Sequence, residues 1–323
     1  MSKINFKEEN VTIQSNVTLR GTLTIPMSVD AATDNPQYPA VLFLSGSGRI
    51  DRNENNPSLR LNIFNNLADM ITNLGIVTLR YDKRGVGEST GEYLKAGLWD
   101  LVDDAEQALL FLKQHEQVDP DKVFIIGHSE GAIIGAALAD KYLLMGLVML
   151  SGTAESLKDT MIRQNEKVFK EMENLPGFKG LINRLLRVSV KGRKDMEETH
   201  KKILESTTHT LELRGKKINA KWMREHFKYN VVQSLQRITI PTLAISGSKD
   251  VQVPPDHAKE IANTVVGPSE WYVIEGMNHI LREARESGSM MTLQKEYKET
   301  ANQPLHTELI TILSGWLKKR IEE

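Results

Sequence analysis

Six short apolar runs, separated by stretches of helical periodicity, constrain this chain more than any other feature. Residues 39–44 (PAVLFL), 75–79 (GIVTL), 123–126 (VFII), 146–150 (GLVML), 241–245 (PTLAI) and 271–274 (WYVI) are continuous rather than alternating. A strand reads that way when both of its faces are buried, as in a parallel sheet covered by helices on each side. Between the runs, Ile63, Phe64, Leu67, Ile71 and Leu74 fall at helical spacing within residues 58–74. Leu98, Leu101, Val102, Ala105, Leu109 and Leu112 do the same within 97–114. Further helices are expected at 130–141, 256–264 and 305–321, and residues 10–13 and 17–25 alternate as an antiparallel strand pair would. The fold class is therefore α/β, a mostly parallel sheet with helices on both faces.

The rhythm stops at Glu155. From 155 to 235 the periodicity is helical with no convincing strand, and Leu181, Ile182, Leu185 and Leu186 share one helical face. An α/β core over 1–154 and 236–323, with a helical insertion over 155–235, is the expected organisation. That insertion carries 18 Lys/Arg against 11 Asp/Glu, although the whole chain has a net charge of -1. Its excess of positive charge reads as a solvated helical surface, and the near-neutral total argues against a general nucleic-acid binder. With no cysteine, disulfides, thiolate metal sites and a cysteine nucleophile are excluded. The opening MSKINFKEEN lacks the apolar segment of a secretory signal, and the longest apolar stretch, 142–150, is too short to cross a bilayer. A cytoplasmic protein is expected, with no metal or organic cofactor; a homo-oligomer is left open.

The chemistry centres on GHSEG, residues 127–131, placed between the run VFII and the small and apolar residues AIIGAAL. A Gly-x-Ser-x-Gly pentapeptide arises by accident in such a chain with a chance of roughly 0.1, so its context must decide. A strand before and a helix after suit an elbow that presents Ser129 at the end of the sheet, with Gly127 and Gly131 allowing the tight turn. A serine hydroxyl needs a base, and the base an orienting acid, in the chain order Ser, Asp or Glu, His. Of the downstream histidines, His200, His209 and His226 lie in the insertion, while His257 and His306 sit on or at the start of helices. His279 follows the run 271–274 in a loop, and Asp250 follows 241–245 in another. If those two strands are neighbours, Ser129, Asp250 and His279 converge at one end of the sheet. Glu155, after the run 146–150, is an alternative acid. For the oxyanion, the helix-start N–H of Glu130 and the N–H of Ser47 in the loop SGSG are the candidate donors.

Other features read as structural. Gly85 and Gly87 begin a dinucleotide fingerprint that fails at Thr90, where the third glycine should stand. Asp82, Arg84 and Ser89 are expected to fix that turn by hydrogen bonds. His128 points away from the nucleophile in an elbow and should be a packed, hydrogen-bonded group. The Glu130 side chain could pair with Arg52 or Arg84.

Taken together, GHSEG, SGSGRIDRN, YDKRGVGEST, PTLAISGSKDVQVPP and GMNHIL resemble the α/β-hydrolase superfamily over nearly the whole chain. The combination of GSG…DR with DKRGVGES resembles bacterial carboxylesterase-like members, which carry a helical cap between the sixth and seventh strands. That resemblance implies a serine hydrolase with Ser129 as nucleophile, His279 as base, Asp250 as acid, and Ser47 and Glu130 as oxyanion donors. Residues 221–230 resemble the cap's return to the core, although Asn230 stands where relatives often carry Asp, and Ser45 where many carry His. A carboxylic ester with a small or medium acyl group is the expected substrate. A thioester, a peptide, or ligand binding without turnover are the alternatives, since one triad serves several chemistries.

Overall fold

The computed structural model describes residues 5–27, 36–284 and 288–323. It opens on β1 (Phe6–Gln14) and β2 (Thr18–Pro26), the expected antiparallel pair. Next come β3 (Tyr38–Leu44), α1 (Ile63–Thr72), β4 (Val77–Tyr81), α2 (Leu98–Lys113), β5 (Val118–His128), α3 (Glu130–Ala139) and β6 (Gly146–Leu150). The insertion holds α4 (Leu157–Glu173), α5 (Gly177–Leu185), α6 (Val188–Glu205), β7 (Thr210–Leu213), β8 (Lys216–Asn219), α7 (Ala220–Lys228) and α8 (Val231–Leu235). The chain then resumes its alternation with β9 (Thr242–Gly247), α9 (His257–Thr264), β10 (Ser269–Ile274), α10 (Leu293–Thr300) and α11 (Thr307–Glu322).

Eight strands form one sheet in the order β1-β2-β4-β3-β5-β6-β9-β10, parallel from β4 to β10. Alternate residues of the central strands feed opposite cores. Ala40, Leu42 and Leu44 of β3, with Val123 and Ile125 of β5, pack under α2 and α3. Val41, Phe43, Phe124 and Ile126 pack on the other face under α1 and α11. Burial on both sides is the reason these strands read as unbroken apolar runs. The strand order reverses between β3 and β5, and open sheets of this kind place their sites in the crevice beyond the carboxyl ends at such a point.

Four local features depart from the sequence reading. The helix expected from residue 58 starts at Ile63, because Asn62 takes a left-handed φ of 50° and the Asn55 side chain accepts the N–H groups of Leu61 and Asn62. Helix α10 is absent from the sequence reading. The insertion, read as helical throughout, contains the hairpin β7–β8, turned by Arg214 and Gly215 at φ 51° and 73°. Positive φ at both central residues is what a tight two-residue hairpin requires. The apolar face expected around α5 is turned outward: Leu181 is 47% and Leu185 72% exposed, and Leu186, just past the helix, 56%. No helix among the described residues is long and apolar enough to cross a membrane.

Candidate active site

Strand β5 ends at His128 and α3 begins at Glu130, so Ser129 alone makes the turn, with φ 53° and ψ −115°. A non-glycine backbone in that region costs on the order of 1–3 kcal/mol and persists only where its surroundings enforce it. Here they do. A Cβ on Gly127 would meet the Gly131 carbonyl oxygen at 2.3 Å, and one on Gly131 would meet the Leu44 carbonyl at 1.8 Å. The Ser129 N–H is held by the Leu150 carbonyl at 2.9 Å.

The condition set for Asp250 and His279 is met, since β9 and β10 are parallel neighbours. Their following loops touch: the Lys249 N–H donates to the Met277 carbonyl at 2.9 Å. His279 Nδ1 lies 2.7 Å from Asp250 Oδ2, while Oδ1 accepts the N–H groups of Gln252 and Val253 at 2.8 and 3.0 Å. Burial alone would raise the Asp250 pKa. The interaction with His279 and the two backbone N–H groups outweigh it and hold the carboxyl below its ordinary value. Ser129 and His279 line one cavity of about 220 Å³, walled by Ile133, Met161 and Val253. No hydrogen bond joins Ser129 Oγ to His279 in this structure. Contacts of this kind are commonly long before substrate binds and tighten afterwards.

Ser47 and Glu130 line the same cavity. Neither N–H donates to another group among the described residues. Gly46 brings the loop against the serine, where a Cβ on it would lie 3.4 Å from the Ser129 Cβ. The Glu130 side chain, expected to pair with Arg52 or Arg84, does neither. It meets Lys83 Nζ at 2.6 Å, His226 Nε2 at 2.8 Å and Trp222 Nε1 at 2.5 Å. Arg52 is taken by Asp82 and Glu88, and Arg84 by Asp104. Those bonds, with Ser89 Oγ donating to the Asp82 carbonyl at 2.7 Å, fix the turn as expected.

His128 is buried and hydrogen-bonded: Nδ1 faces Glu54 and Nε2 lies 2.9 Å from the His279 carbonyl oxygen. Glu155, the alternative acid, is bound to Arg163 at 2.6 Å and to Thr160. Asn230 makes no ion pair; its side chain caps α8 by accepting the Val232 N–H at 3.1 Å. Lys83 and Glu54 were not singled out by sequence, and Trp222 and His226 entered it only as part of the cap's return at 221–230 and as a histidine set aside within the insertion. Lys83 adjoins Asp82 in the DKRG turn, and Glu54 belongs to DRNEN, so for these two a signal existed only as proximity to glycine-rich motifs.

A family model described as serine aminopeptidase, S33, matches residues 60–285. The esterase EstD of Thermotoga maritima is 25% identical over 318 residues, 98% of this chain and 68% of that protein. A proline iminopeptidase of Saccharolobus solfataricus is 27% identical over 238 residues, 66% of this chain and 73% of that one. Among solved structures, Est1E of Butyrivibrio proteoclasticus with ferulic acid bound aligns over 97% of this chain and 100% of its own at a TM-score of 0.59. At 16% identity that likeness concerns the fold alone. A family match running from residue 60 to 285, on a sheet ordered in this way, makes the chain a member of the serine aminopeptidase S33 family within the α/β-hydrolase serine hydrolases.

Proposed function

We propose that this α/β hydrolase cleaves small carboxylic esters through an acyl-enzyme on Ser129, beneath a cap formed by residues 155–235. His279, held in one tautomer by Asp250, takes the Ser129 proton as the hydroxyl attacks the carbonyl. The N–H groups of Ser47 and Glu130 receive the oxyanion. Collapse expels the alcohol, which takes the proton from His279, and a water activated by the same ring then releases the acid.

One observation favours an ester over the amino-terminal peptide that the family's name suggests. A peptide's ammonium group is held best by a carboxylate free to face the cavity. Glu130 is the one carboxylate among the described lining residues, and Lys83, His226 and Trp222 already occupy it. A cavity of about 220 Å³ also lies below the roughly 300–1,000 Å³ of sites for drug-sized ligands, which suits a short acyl chain. The direct test is intact mass after fluorophosphonate treatment, comparing wild type with Ser129→Ala, followed by p-nitrophenyl esters and aminoacyl p-nitroanilides. A single adduct on wild type only, with ester turnover exceeding anilide turnover, is expected. Turnover of the anilides alone would make it a peptidase. No adduct on folded wild type would favour a ligand-binding protein.

A further inference from the structure

The acyl-transfer steps above leave a buried lysine unexplained. Lys83, just beyond β4, is 4% exposed and does not line the cavity. Its ammonium makes two contacts, 2.6 Å to Glu130 Oε2 and 2.5 Å to the Gly46 carbonyl oxygen. Each acceptor belongs to one arm of the site. The Gly46 carbonyl shares a planar peptide with the Ser47 N–H, so fixing the oxygen at one end fixes the direction of the N–H at the other. A cation on that oxygen also draws electron density from the peptide and makes its N–H a stronger donor. The second acceptor is the side chain of Glu130, whose own N–H is the other candidate donor.

Two further contacts complete the frame. Glu54 accepts the Gly46 N–H at 2.7 Å, so Gly46 is held from both of its peptide groups. The other oxygen of Glu130 accepts Trp222 Nε1 and His226 Nε2 from α7, and Trp222 also lines the cavity. The insertion therefore meets the Glu130 carboxylate directly, and the loop after β3 reaches it through Lys83. Stability alone is a weak reason for such a pair, because desolvating two charges commonly cancels their attraction.

We propose that Lys83 is the positioning residue of the oxyanion hole, aligning the Ser47 and Glu130 N–H groups together, and that α7 seats this frame through Glu130. This inference rests on the esterase reading. Lys83 touches no substrate and acts through the two peptides.

The experiment measures Lys83→Met on a p-nitrophenyl ester of a short acid, with two ligands of the same acyl group. One is a trifluoromethyl ketone, whose adduct with Ser129 places an oxyanion in the hole; the other is an unreactive amide that binds only as the ground state. Expected are a fall in kcat of about 100-fold, the scale of losing one oxyanion donor, and an equal weakening of the trifluoromethyl ketone. KM and amide affinity should stay within about threefold, because ground-state binding is untouched. Lys83→Arg should recover part of kcat. Trp222→Phe, which keeps the ring and removes one bond to Glu130, should show a smaller loss of the same kind, about threefold to tenfold.

If Lys83→Met folds poorly, Lys83→Met/Glu130→Gln removes both charges together and carries the same expectation. A variant that melts lower yet keeps wild-type kcat and trifluoromethyl ketone affinity would overturn the inference and leave a purely structural ion pair. Wild type inert to every ester and to the ketone would overturn the esterase reading, and this inference with it.

Discussion

Glu54 Oε2 lies 2.8 Å from Nδ1 of His128, the residue before Ser129, and the other Glu54 oxygen accepts the Gly46 N–H at 2.7 Å. The loop after β3 and the turn after β5 are thereby tied through one buried carboxylate. Nε2 of the same ring reaches the His279 carbonyl at 2.9 Å, which ties in the loop after β10. With acceptors on both nitrogens, the ring is suited to carry two protons.

That pair sets a pH dependence. Burial opposes the charged ring, but Glu54 and the His279 carbonyl outweigh it and raise the His128 pKa above its ordinary 6.5. A raised folded pKa gives stability that is complete below the unfolded value and is lost as pH climbs through the folded one. Melting temperatures taken from about pH 6 to about pH 9 should fall with pH, and His128→Gln should flatten that slope. His128→Leu, which strands the Glu54 carboxylate in the interior, should cost about 3–5 kcal/mol in urea denaturation near neutral pH. A wild-type slope identical to that of His128→Gln would show that the pair is not charged.

The Asp250 carboxylate accepts the proton-bearing Nδ1 of His279, so its replacement by an amide should favour the wrong tautomer. Asp250→Asn is expected to lower kcat on a p-nitrophenyl ester about 10,000-fold with little change in folding. Glu155→Gln should stay within a few-fold of wild type, because that carboxylate is spent on Arg163 and Thr160. Full activity in Asp250→Asn would remove it from the mechanism.

Met161 of α4 narrows the cavity that holds Ser129. Met161→Ala should shift preference toward longer acyl chains, raising the hexanoate-to-butyrate ratio of kcat/KM by about tenfold or more, the low end for methylenes in an apolar pocket. An unchanged ratio would place the acyl group elsewhere.

Two glycines should respond in opposite directions to alanine. Gly131 is closed in by the Leu44 carbonyl, so Gly131→Ala should destabilise by about 3 kcal/mol or more, or fail to fold. Gly315 lies exposed within α11 with nothing near its missing Cβ, and Gly315→Ala should stabilise by roughly 0.5–1 kcal/mol. Chemical denaturation midpoints read both.

Much of this molecule was legible because its signals are local. A strand buried on both faces declares itself as an apolar run, and GHSEG between such a run and a helix needs only its neighbours to be read as an elbow. Asp250 and His279 could be picked out as candidates because each leaves the end of a recognisable strand. The hairpin β7–β8 escaped because its strands are four residues each, rich in charge, and too short for alternation to stand out. The α5 face shows the reverse: its helical spacing was clear, but periodicity says only which residues share a side, and here that side faces out.

By itself, then, the sequence determined the fold class and the order of the core strands, and it marked Ser129, Asp250 and His279 as candidates beyond the ends of three of them. What it could not decide was the partner of Glu130. Arg52, Lys83 and Arg84 all stand near the relevant turns, and a cation's identity in sequence says nothing of its reach. Only the folded sheet, which sets β4 beside β3 and β3 beside β5, brings Lys83 within 2.6 Å of a residue 47 positions away and gives the two arginines to Asp82 and Asp104. Periodicity is written in neighbouring residues, whereas the pairing of buried charges depends on distances that exist only after the chain has closed around them.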